Sequence, residues 1–258
     1  MQHKKYSSDL STKSWQIIKK MLPVQRRSKW NLQSILNGIL YVCKNGCVWR
    51  DLPSDFTTWQ TVYWYYRKWV KEGVWENISR CLTVDYRTKS EKMPQPTLVI
   101  IDSQSVKNSS TSTEHVGIDG GKRIKGRKRF YLVDTLGNLI ESFVCPANSY
   151  DGTTAIKTWK YAFDNPLLYE VESVFADATF GGTFKREMKQ EMNIDVEIPK
   201  VPIAKKGKVK IHQKRWIVER TIAWINNNRR MAKEYERKIE NANAFILIAN
   251  IRRIANKI

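Results

Sequence analysis

The chain has 258 residues, enough for two modest hydrophobic cores, and its hydrophobic content of 41% excludes a chain that is disordered throughout. Lysine and arginine total 45 against 25 aspartate and glutamate residues, which gives a formal net charge of +20. Such an excess indicates a polyanionic partner, and nucleic acid is favoured over a membrane because no apolar run approaches about 18 residues. The polar N-terminal sequence has no secretory signal, so we expect a cytoplasmic protein.

Residues 1–92 have the apolar spacing of helices throughout. Helices are predicted over residues 15–22, over 31–44, from residue 58 onward and over 73–87. The third carries an apolar stripe of Trp59, Val62, Tyr63, Tyr66, Trp69 and Val70, and its other side holds Tyr65, Arg67, Lys68 and Lys71. Two helices joined by a short turn, the second basic and aromatic, fit a helix-turn-helix-like module that reads a DNA major groove. The alternative interpretation is favoured equally: the aromatic stripe packs in the core, and the basic face contacts only solvent.

Two further features of this part of the chain bear on domains and metals. Residues 86–96 are polar and hold two prolines, so we predict a linker between a helical domain, 1–92, and a second domain, 93–258.

Cys43 and Cys47 have no histidine nearby, and buried free thiols are favoured over a zinc site for the four cysteines, which also include Cys81 and Cys145.

The second domain begins with an apolar run that stops at a carboxylate. Residues 97–101 predict a strand buried on both faces, with Asp102 at its C-terminal end. Carboxyl ends of strands in helix-covered sheets are where ligands and metal ions are held, so Asp102 is a candidate catalytic residue. For an isolated aspartate, capping of a turn is the more frequent role.

A strongly basic run follows Asp102. Its six cations, within residues 122–129, are Lys122, Arg123, Lys125, Arg127, Lys128 and Arg129. Three glycines loosen this run, and a solvated loop is the default prediction. Because it lies between the first two predicted strands, beside the proposed acidic edge, we also predict that these cations grip DNA phosphates.

The remaining segments complete an α/β pattern. Residues 129–136 and 139–145 predict a hairpin in which Asp134 is structural, followed by helices over 153–163 and 183–192 and a last strand over 194–201. Between the helices, residues 171–176 predict a strand that ends at Asp177, which repeats the pattern of Asp102. A long helix from Arg215 and an apolar closing helix over 244–254 come last. Strand, hairpin, helix, strand, helix, strand and helices is the order of an RNase H-like α/β core with a mixed sheet flanked by helices.

The helix from Arg215 offers a third acid. Val218, Ile222, Ile225 and Arg229 share one helical face, and Glu219 lies at the edge of that stripe. A surface ion pair between Arg215 and Glu219 is the plain alternative, and Glu187, Glu191 and Glu234 are other candidates. Three convergent carboxylates repel one another and need cations. Two Mg²⁺ ions roughly 4 Å apart would neutralise them and activate both oxygens of a phosphodiester exchange.

These motifs resemble bacterial insertion-sequence transposases of the DDE type, most closely the insertion-sequence-five family. The similarity runs nearly end to end, and its blocks in chain order are Leu36-Asn-Gly-Ile-Leu-Tyr-Val, Gly46-Cys-Val-Trp-Arg-Asp-Leu-Pro53, Trp59-Gln-Thr-Val-Tyr63, Asp102-Ser-Gln-Ser-Val-Lys107, Gly121-Lys-Arg-Ile-Lys-Gly-Arg-Lys128, Leu132-Val-Asp-Thr-Leu-Gly137, Ala176-Asp177 and Arg215-Trp-Ile-Val-Glu-Arg-Thr.

The resemblance implies an RNase H-like catalytic domain that excises or inserts a mobile element, with metal ligands Asp102, Asp177 and Glu219. It implies two Mg²⁺ ions, for which Mn²⁺ can substitute, and double-stranded DNA as partner, at terminal inverted repeats and at a target site. We expect a homodimer on DNA, no membrane association, and Arg215 among the DNA-binding residues. A catalytically silent, transposase-derived repressor is the alternative, and the survival of all three acids argues against it.

The chain departs from the resemblance at four positions. The family usually shows Gly-Tyr after the second acid, where this chain has Thr179-Phe180. The wider superfamily places tyrosine and lysine at the positions of His212 and Asn226, while Arg215 is kept. The roles of His212 and Asn226 are therefore open.

Overall fold

The computed structural model describes residues 5–23, 30–199 and 213–258. The chain divides into two compact units. The first holds the described residues of Met1–Tyr86, Ser109–Glu114 and Trp224–Ile258, and the second those of Arg87–Asn108 and His115–Ala223.

The secondary structure follows the predicted order closely. The helices are α1 (Thr12–Lys19), α2 (Leu32–Asn45), α3 (Trp59–Lys71), α4 (Val74–Lys89), α5 (Asp151–Tyr161), α6 (Gly181–Met192), α7 (Gln213–Asn226) and α8 (Ile239–Ala255). The strands are β1 (Leu98–Lys107), β2 (Gly117–Asp119), β3 (Ile124–Val133), β4 (Leu139–Pro146), β5 (Ser173–Phe175) and β6 (Asp195–Glu197). Among the described residues, short 3-10 turns lie at Trp49–Asp51, Pro166–Leu168, Ala178–Phe180 and Arg229–Met231.

Local sequence explains where the helices of the first unit begin and end. The Asn31 side chain accepts hydrogen bonds from two amides of the first turn of α2, and Gly46 ends that helix in the left-handed conformation, with φ of 71°. On α3 the buried residues are Val62, Tyr65, Tyr66 and Trp69. Tyr65 was predicted on the basic side, so that assignment is wrong, although the helix itself is confirmed.

The closing helix α8 belongs to the first unit. It is buried on nearly every side, which an apolar helix requires. The Tyr66 hydroxyl donates to the Asn241 carbonyl at 2.8 Å, and its ring centroid lies 4.9 Å from that of Phe245. At the other end, the Ser14 hydroxyl donates to the Ala255 carbonyl at 2.6 Å. The predicted linear division at residue 92 therefore misses the return of the C-terminal segment to the N-terminal helices.

The described part of the second unit is built on a mixed sheet of six strands. Its strand order is β2-β3-β1-β5-β6, with β4 also paired to β3. β1 runs antiparallel to β3 and parallel to β5, and β5 runs parallel to β6. This is the topology of an RNase H-like core, as predicted. The predicted last strand is shortened to β6, and the part of it beyond residue 199 lies outside the described residues.

The basic run is the largest departure from the predicted elements. Only Lys122 and Arg123 of the run lie in a turn, because β3 begins at Ile124 and pairs with both β1 and β4. Arg127, Lys128 and Arg129 are only 0%, 6% and 1% exposed, respectively. The predicted hairpin is confirmed, but its first strand starts five residues earlier than position 129.

Asp134 organises the turn of this hairpin, as predicted. Its carboxylate accepts hydrogen bonds from the amides of Leu136 and Asn138 and forms a buried ion pair with Arg87 at 2.7 Å. Elsewhere, all four cysteines are free thiols, and burial raises the pKa of Cys43 to about 12. No helix in the described part of the chain has the length and apolar character needed to cross a membrane.

Candidate active site

Asp102 lies on β1, two residues past the end of its parallel pairing with β5. The last residues of that pairing are Ile100 and Phe175. The strand was predicted to end at Asp102, but it continues to Lys107 because β3 pairs with it along that length. Asp102 is thus half-buried at the point where β1 keeps one neighbour and loses the other.

Asp177 occupies the equivalent position beyond the end of the neighbouring strand β5. It comes two residues after Phe175, as Asp102 comes two residues after Ile100. Residues two apart in extended chain share a face, so both carboxylates belong to the same side of the same sheet edge. β1 and β5 are parallel neighbours in the sheet, so the two segments end at the same edge.

Each aspartate is oriented by a nearby amide. Asp102 Oδ1 accepts from the Ser103 amide at 2.7 Å, and Asp177 Oδ1 accepts from the Thr179 amide at 2.8 Å. Asp177 also accepts from the Thr179 hydroxyl and caps the turn Ala178–Phe180. The capping role that is common for such residues is therefore present at Asp177, together with its place at the sheet edge.

Electrostatics link Asp102 to the other two predicted acids. The pKa of Asp102 is raised to about 6, first of all by burial and then by the negative charges of Asp177 and Glu219. The Ser103 amide and the cation of Arg215 oppose this rise in pKa. The sheet edge therefore concentrates negative charge that a cation would stabilise.

Glu219 is presented by α7, which is anchored on the turn between β3 and β4. The Thr221 hydroxyl donates to the Gly137 carbonyl at 2.9 Å, and the buried side of the helix includes Val218 and Ile225. Ile222 is only half-buried and α7 ends before Arg229, so the predicted stripe is correct in part. Glu219 itself is exposed and pairs with Arg215 at 2.9 Å, the ion pair that we considered as the alternative role.

The carboxylates at this edge are suitable ligands for a hard divalent cation, but their side chains do not converge on a single point. Asp102 and Asp177 offer carboxylate oxygens, the ligands that Mg²⁺ prefers. As the side chains stand, no trio of histidine, cysteine, aspartate or glutamate within residues 5–23, 30–199 and 213–258 is gathered closely enough to hold one ion. Glu219 would have to exchange Arg215 for the cation.

Sequence reasoning missed a further carboxylate at this edge. Glu197 ends β6 and lies opposite Phe175 in the parallel register. It forms an ion pair with Lys214 of α7, whose ammonium also lies 5.4 Å from the centroid of the Phe175 ring. The end of a third strand could have indicated Glu197, but the last strand was predicted over 194–201 and so placed Glu197 in its interior.

The predicted DNA-binding cations fall into different environments. Lys122, Arg123, Lys125 and Arg215 are exposed. Burial withdraws Arg127, Lys128 and Arg129 from the surface, so the prediction that these three contact phosphates is corrected.

The structure also locates two of the residues at which the chain departs from the family pattern. Phe180 is a core residue whose ring packs against Phe184 at a centroid distance of 5.8 Å. Asn226 is the last residue of α7 and is half-buried. His212 lies outside the described residues.

Comparisons with known proteins agree with this architecture. A family model described as “Transposase DDE domain” matches residues 93–252, and one described as “Putative transposase of IS4/5 family” matches residues 10–79. The “Insertion element IS402 uncharacterized 16.2 kDa protein” of Burkholderia cepacia is 31% identical over 91 residues, which are 30% of this chain and 59% of that relative. No solved structure matches. The chain belongs to the transposases with a DDE domain, and its N-terminal part is similar to transposases of the IS4/5 family.

Proposed function

We propose that the protein is the transposase of a bacterial insertion sequence, which hydrolyses phosphodiester bonds at the element ends and then joins those ends to target DNA by strand transfer. The observation that carries the proposal is the register of β1 and β5, which gives Asp102 and Asp177 equivalent positions at one sheet edge. Two half-buried carboxylates in this arrangement repel each other and favour a bound divalent cation.

Transposase DDE domains use divalent metal ions, and we assign Asp102, Asp177 and Glu219 as ligands of two Mg²⁺ ions, with Mn²⁺ able to substitute. When bound, such a pair stabilises the attacking and leaving oxygens of a phosphodiester exchange. The residues of the chain prepare this site. With a pKa of about 6, Asp102 is mostly ionised at neutral pH, and the Ser103 amide fixes the direction of its Oδ1. Release of Glu219 from Arg215 frees an exposed guanidinium for a DNA phosphate.

DNA recognition is assigned to two exposed basic surfaces. The first is the exposed face of α3, on which Gln60, Trp64, Arg67 and Lys71 point to solvent and which we propose reads the terminal inverted repeats. The second is the turn between β2 and β3 together with the start of β3, where Lys122, Arg123 and Lys125 are exposed, and we propose that it holds phosphates near the scissile bond. We further propose that a homodimer brings the two element ends together.

A repressor that binds the ends and does not cut is the second candidate. The ion pair between Arg215 and Glu219 favours it, because a glutamate neutralised by arginine is not free to hold a metal ion. The retention of both aspartates at equivalent strand positions favours the enzyme.

The test uses the full chain, because α8 completes the core of the first unit. Purified protein is given duplexes that carry the inverted repeats flanking its gene, with Mg²⁺ or Mn²⁺, and cleavage and strand transfer are measured. Asp102→Asn, Asp177→Asn and Glu219→Gln should lose both activities and keep end binding. Asp195→Asn, which breaks the exposed ion pair of Asp195 with Lys189, is the control that should stay active.

The outcomes separate the candidates. End binding without cleavage by the parent protein in either metal would establish the repressor. Strand transfer by Glu219→Gln within about tenfold of the parent, a barrier change of about 1.4 kcal/mol, would reject Glu219 as the third ligand.

A further inference from the structure

We propose that the first turn of α5 is a positioning element for the two aspartates, in which Asp151 and Gly152 fix the separation of Asp102 and Asp177 that divalent ions require. The inference rests on the proposed function, since it concerns how the same site is held. Neither Asp151 nor Gly152 was among the site residues predicted from the sequence.

The link from α5 to Asp102 runs through one residue. The Ser103 hydroxyl donates to Asp151 Oδ1 at 3.1 Å, and the Ser103 amide donates to Asp102 Oδ1 at 2.7 Å. Ser103 thus binds the first residue of α5 with its side chain and the first catalytic acid with its backbone. A shift of Asp151 would move the amide that orients the Asp102 carboxylate.

Asp151 is itself held by a buried cation. Lys128 Nζ lies 2.9 Å from Asp151 Oδ1 and donates to the Ser149 carbonyl at 2.8 Å. The Lys128 and Asp151 side chains are 8% and 20% exposed, so solvent screens their attraction weakly. Since Lys128 lies opposite Ser105 in the pairing of β1 with β3, the ion pair ties α5 to the strands beside Asp102.

The link from α5 to Asp177 is a backbone contact that only glycine permits. A Cβ atom on Gly152 would lie 2.5 Å from the Phe180 carbonyl oxygen, closer than a carbon can approach. Phe180 ends the turn Ala178–Phe180, which Asp177 caps. The first turn of α5 therefore packs directly on the turn that carries the second acid.

Together these contacts place one rigid turn between the two acids. Adjacent residues of α5 are tied to Asp102 by hydrogen bonds and to the Asp177 turn by van der Waals contact. Two cations about 4 Å apart tolerate little change in the separation of the ligands they share. Residues that orient metal ligands typically change metal affinity by about 10- to 100-fold when they are altered.

The test measures metal binding by the DNA-free full chain, without any cleavage. Free Mn²⁺ is followed by electron paramagnetic resonance during titration, and Asp102→Asn defines the binding that depends on the site. Gly152→Ala should weaken this binding by about tenfold or more. Gly182→Ala is the matched control, because a Cβ at Gly182 meets nothing within 4 Å, and it should bind as the parent does.

A second pair of variants protects the test against misfolding. Ser103→Ala removes one hydroxyl, leaves the backbone amide in place, and should weaken Mn²⁺ binding by about tenfold. Ser103→Thr keeps a hydroxyl and should restore the parent affinity. Thermal unfolding in EDTA shows whether each variant is folded at the temperature of the titration.

The proposal is overturned if folded Gly152→Ala binds Mn²⁺ like Gly182→Ala, or if Ser103→Ala binds like Ser103→Thr. Either result with intact Asp102-dependent binding removes the role of α5 and leaves the proposed function standing. Equal Mn²⁺ binding by the parent and by Asp102→Asn would remove the metal site and this inference together.

Discussion

The two halves of the basic run have the same charge and opposite environments. Residues 122–125 hold three exposed cations at the turn between β2 and β3 and at the start of β3, whereas residues 127–129 hold three cations buried within the sheet. The boundary is Gly126, where a Cβ atom would lie 1.9 Å from the Val106 carbonyl oxygen of β1. Pairing with β1 and β4 draws the second half into the core.

This difference shows that net charge overstates the surface available to DNA. Part of the formal charge of +20 is internal, because Arg127, Lys128 and Arg129 are buried and are not available to DNA. The same comparison predicts which substitutions act on folding and which act on DNA binding.

The largest effect is expected at the buried cation. Lys128→Ala should lower the free energy of unfolding by about 3 kcal/mol, because it leaves the Asp151 carboxylate without its partner in a poorly solvated place. Lys125→Ala, on the exposed side of the boundary at Gly126 and the matched control, should change it by less than about 0.5 kcal/mol. Urea denaturation of both variants measures the difference. If Lys128→Ala and Lys125→Ala lower the free energy of unfolding equally, burial does not determine how much a cation of this run contributes to stability.

A smaller loss of stability is expected at the boundary itself. Gly126→Ala should cost about 1–3 kcal/mol of unfolding free energy, because the new methyl group meets backbone that cannot turn away. Gly120→Ala introduces the same methyl group where nothing lies within 4 Å and should be nearly neutral. Thermal unfolding of the two variants provides the comparison, and a stable Gly126→Ala protein would contradict the close approach of β1 and β3.

The exposed half should affect DNA binding and leave folding almost unchanged. Joint replacement of Lys122, Arg123 and Lys125 by glutamine should make DNA affinity less dependent on salt, with the slope falling by about one unit for each phosphate that the variant no longer binds. The reduction should be the same for terminal and unrelated duplexes, since phosphates carry no sequence information. Fluorescence anisotropy at several salt concentrations measures both quantities.

A charge-matched control lies on α6. Replacement of Lys185, Arg186 and Lys189 by glutamine removes the same charge from an exposed helix that we do not assign to DNA. If that variant reduces the salt slope equally, only net charge matters, and the turn between β2 and β3 makes no specific phosphate contact.

The smallest effect is expected at Asp119, which interacts electrostatically with Lys122 of the exposed half and with Lys128 of the buried half. Partial burial raises its pKa, but the Ser105 hydroxyl, the Lys122 amide and the charges of Lys128 and Lys122 more than offset this, so that its pKa is lowered. A lowered carboxylate pKa stabilises the fold above the ordinary aspartate value of about 3.9, and that stability is lost as the pH falls through the lowered pKa.

Urea denaturation of the parent and of Asp119→Asn between pH 6 and pH 3 tests this sign. The difference in unfolding free energy should be constant near neutral pH and should shrink at the acid end. A difference that is the same at both ends of the range would mean that Asp119 does not interact with the cations of either half.

Much of the fold was predictable because its elements are locally encoded. The apolar runs before Asp102 and Asp177 indicated two buried strands, and β1 and β5 are paired as expected. The lengths of the strands were less accessible. β1 continues past Asp102 because its partner β3 begins at Ile124, inside a run whose glycines and cations are typical of a loop.

The sequence indicated only the acids of the candidate site. Asp102, Asp177 and Glu219 were proposed from strand ends, helix periodicity and the family motifs, and their role as metal ligands stays a prediction. The contacts of Asp151 were not indicated, because Asp151 lies 48 residues from Ser103 and 23 from Lys128 along the chain, and no local pattern indicates such a cluster. Gly152 resembles any other glycine in a helical first turn until the Phe180 carbonyl is found against it.

The sequence by itself determined the element order, the repeated strand-then-aspartate pattern and the family, because apolar periodicity and short motifs are properties of neighbouring residues. The tertiary structure alone decided that Arg127, Lys128 and Arg129 are internal, that α8 completes the N-terminal unit, and that α5 lies against both acidic segments. A charged side chain or a glycine is compatible with surface and core alike. Which of these it occupies depends on partners distant in sequence, whose ion pairs, hydrogen bonds and backbone contacts exist only after the chain has folded.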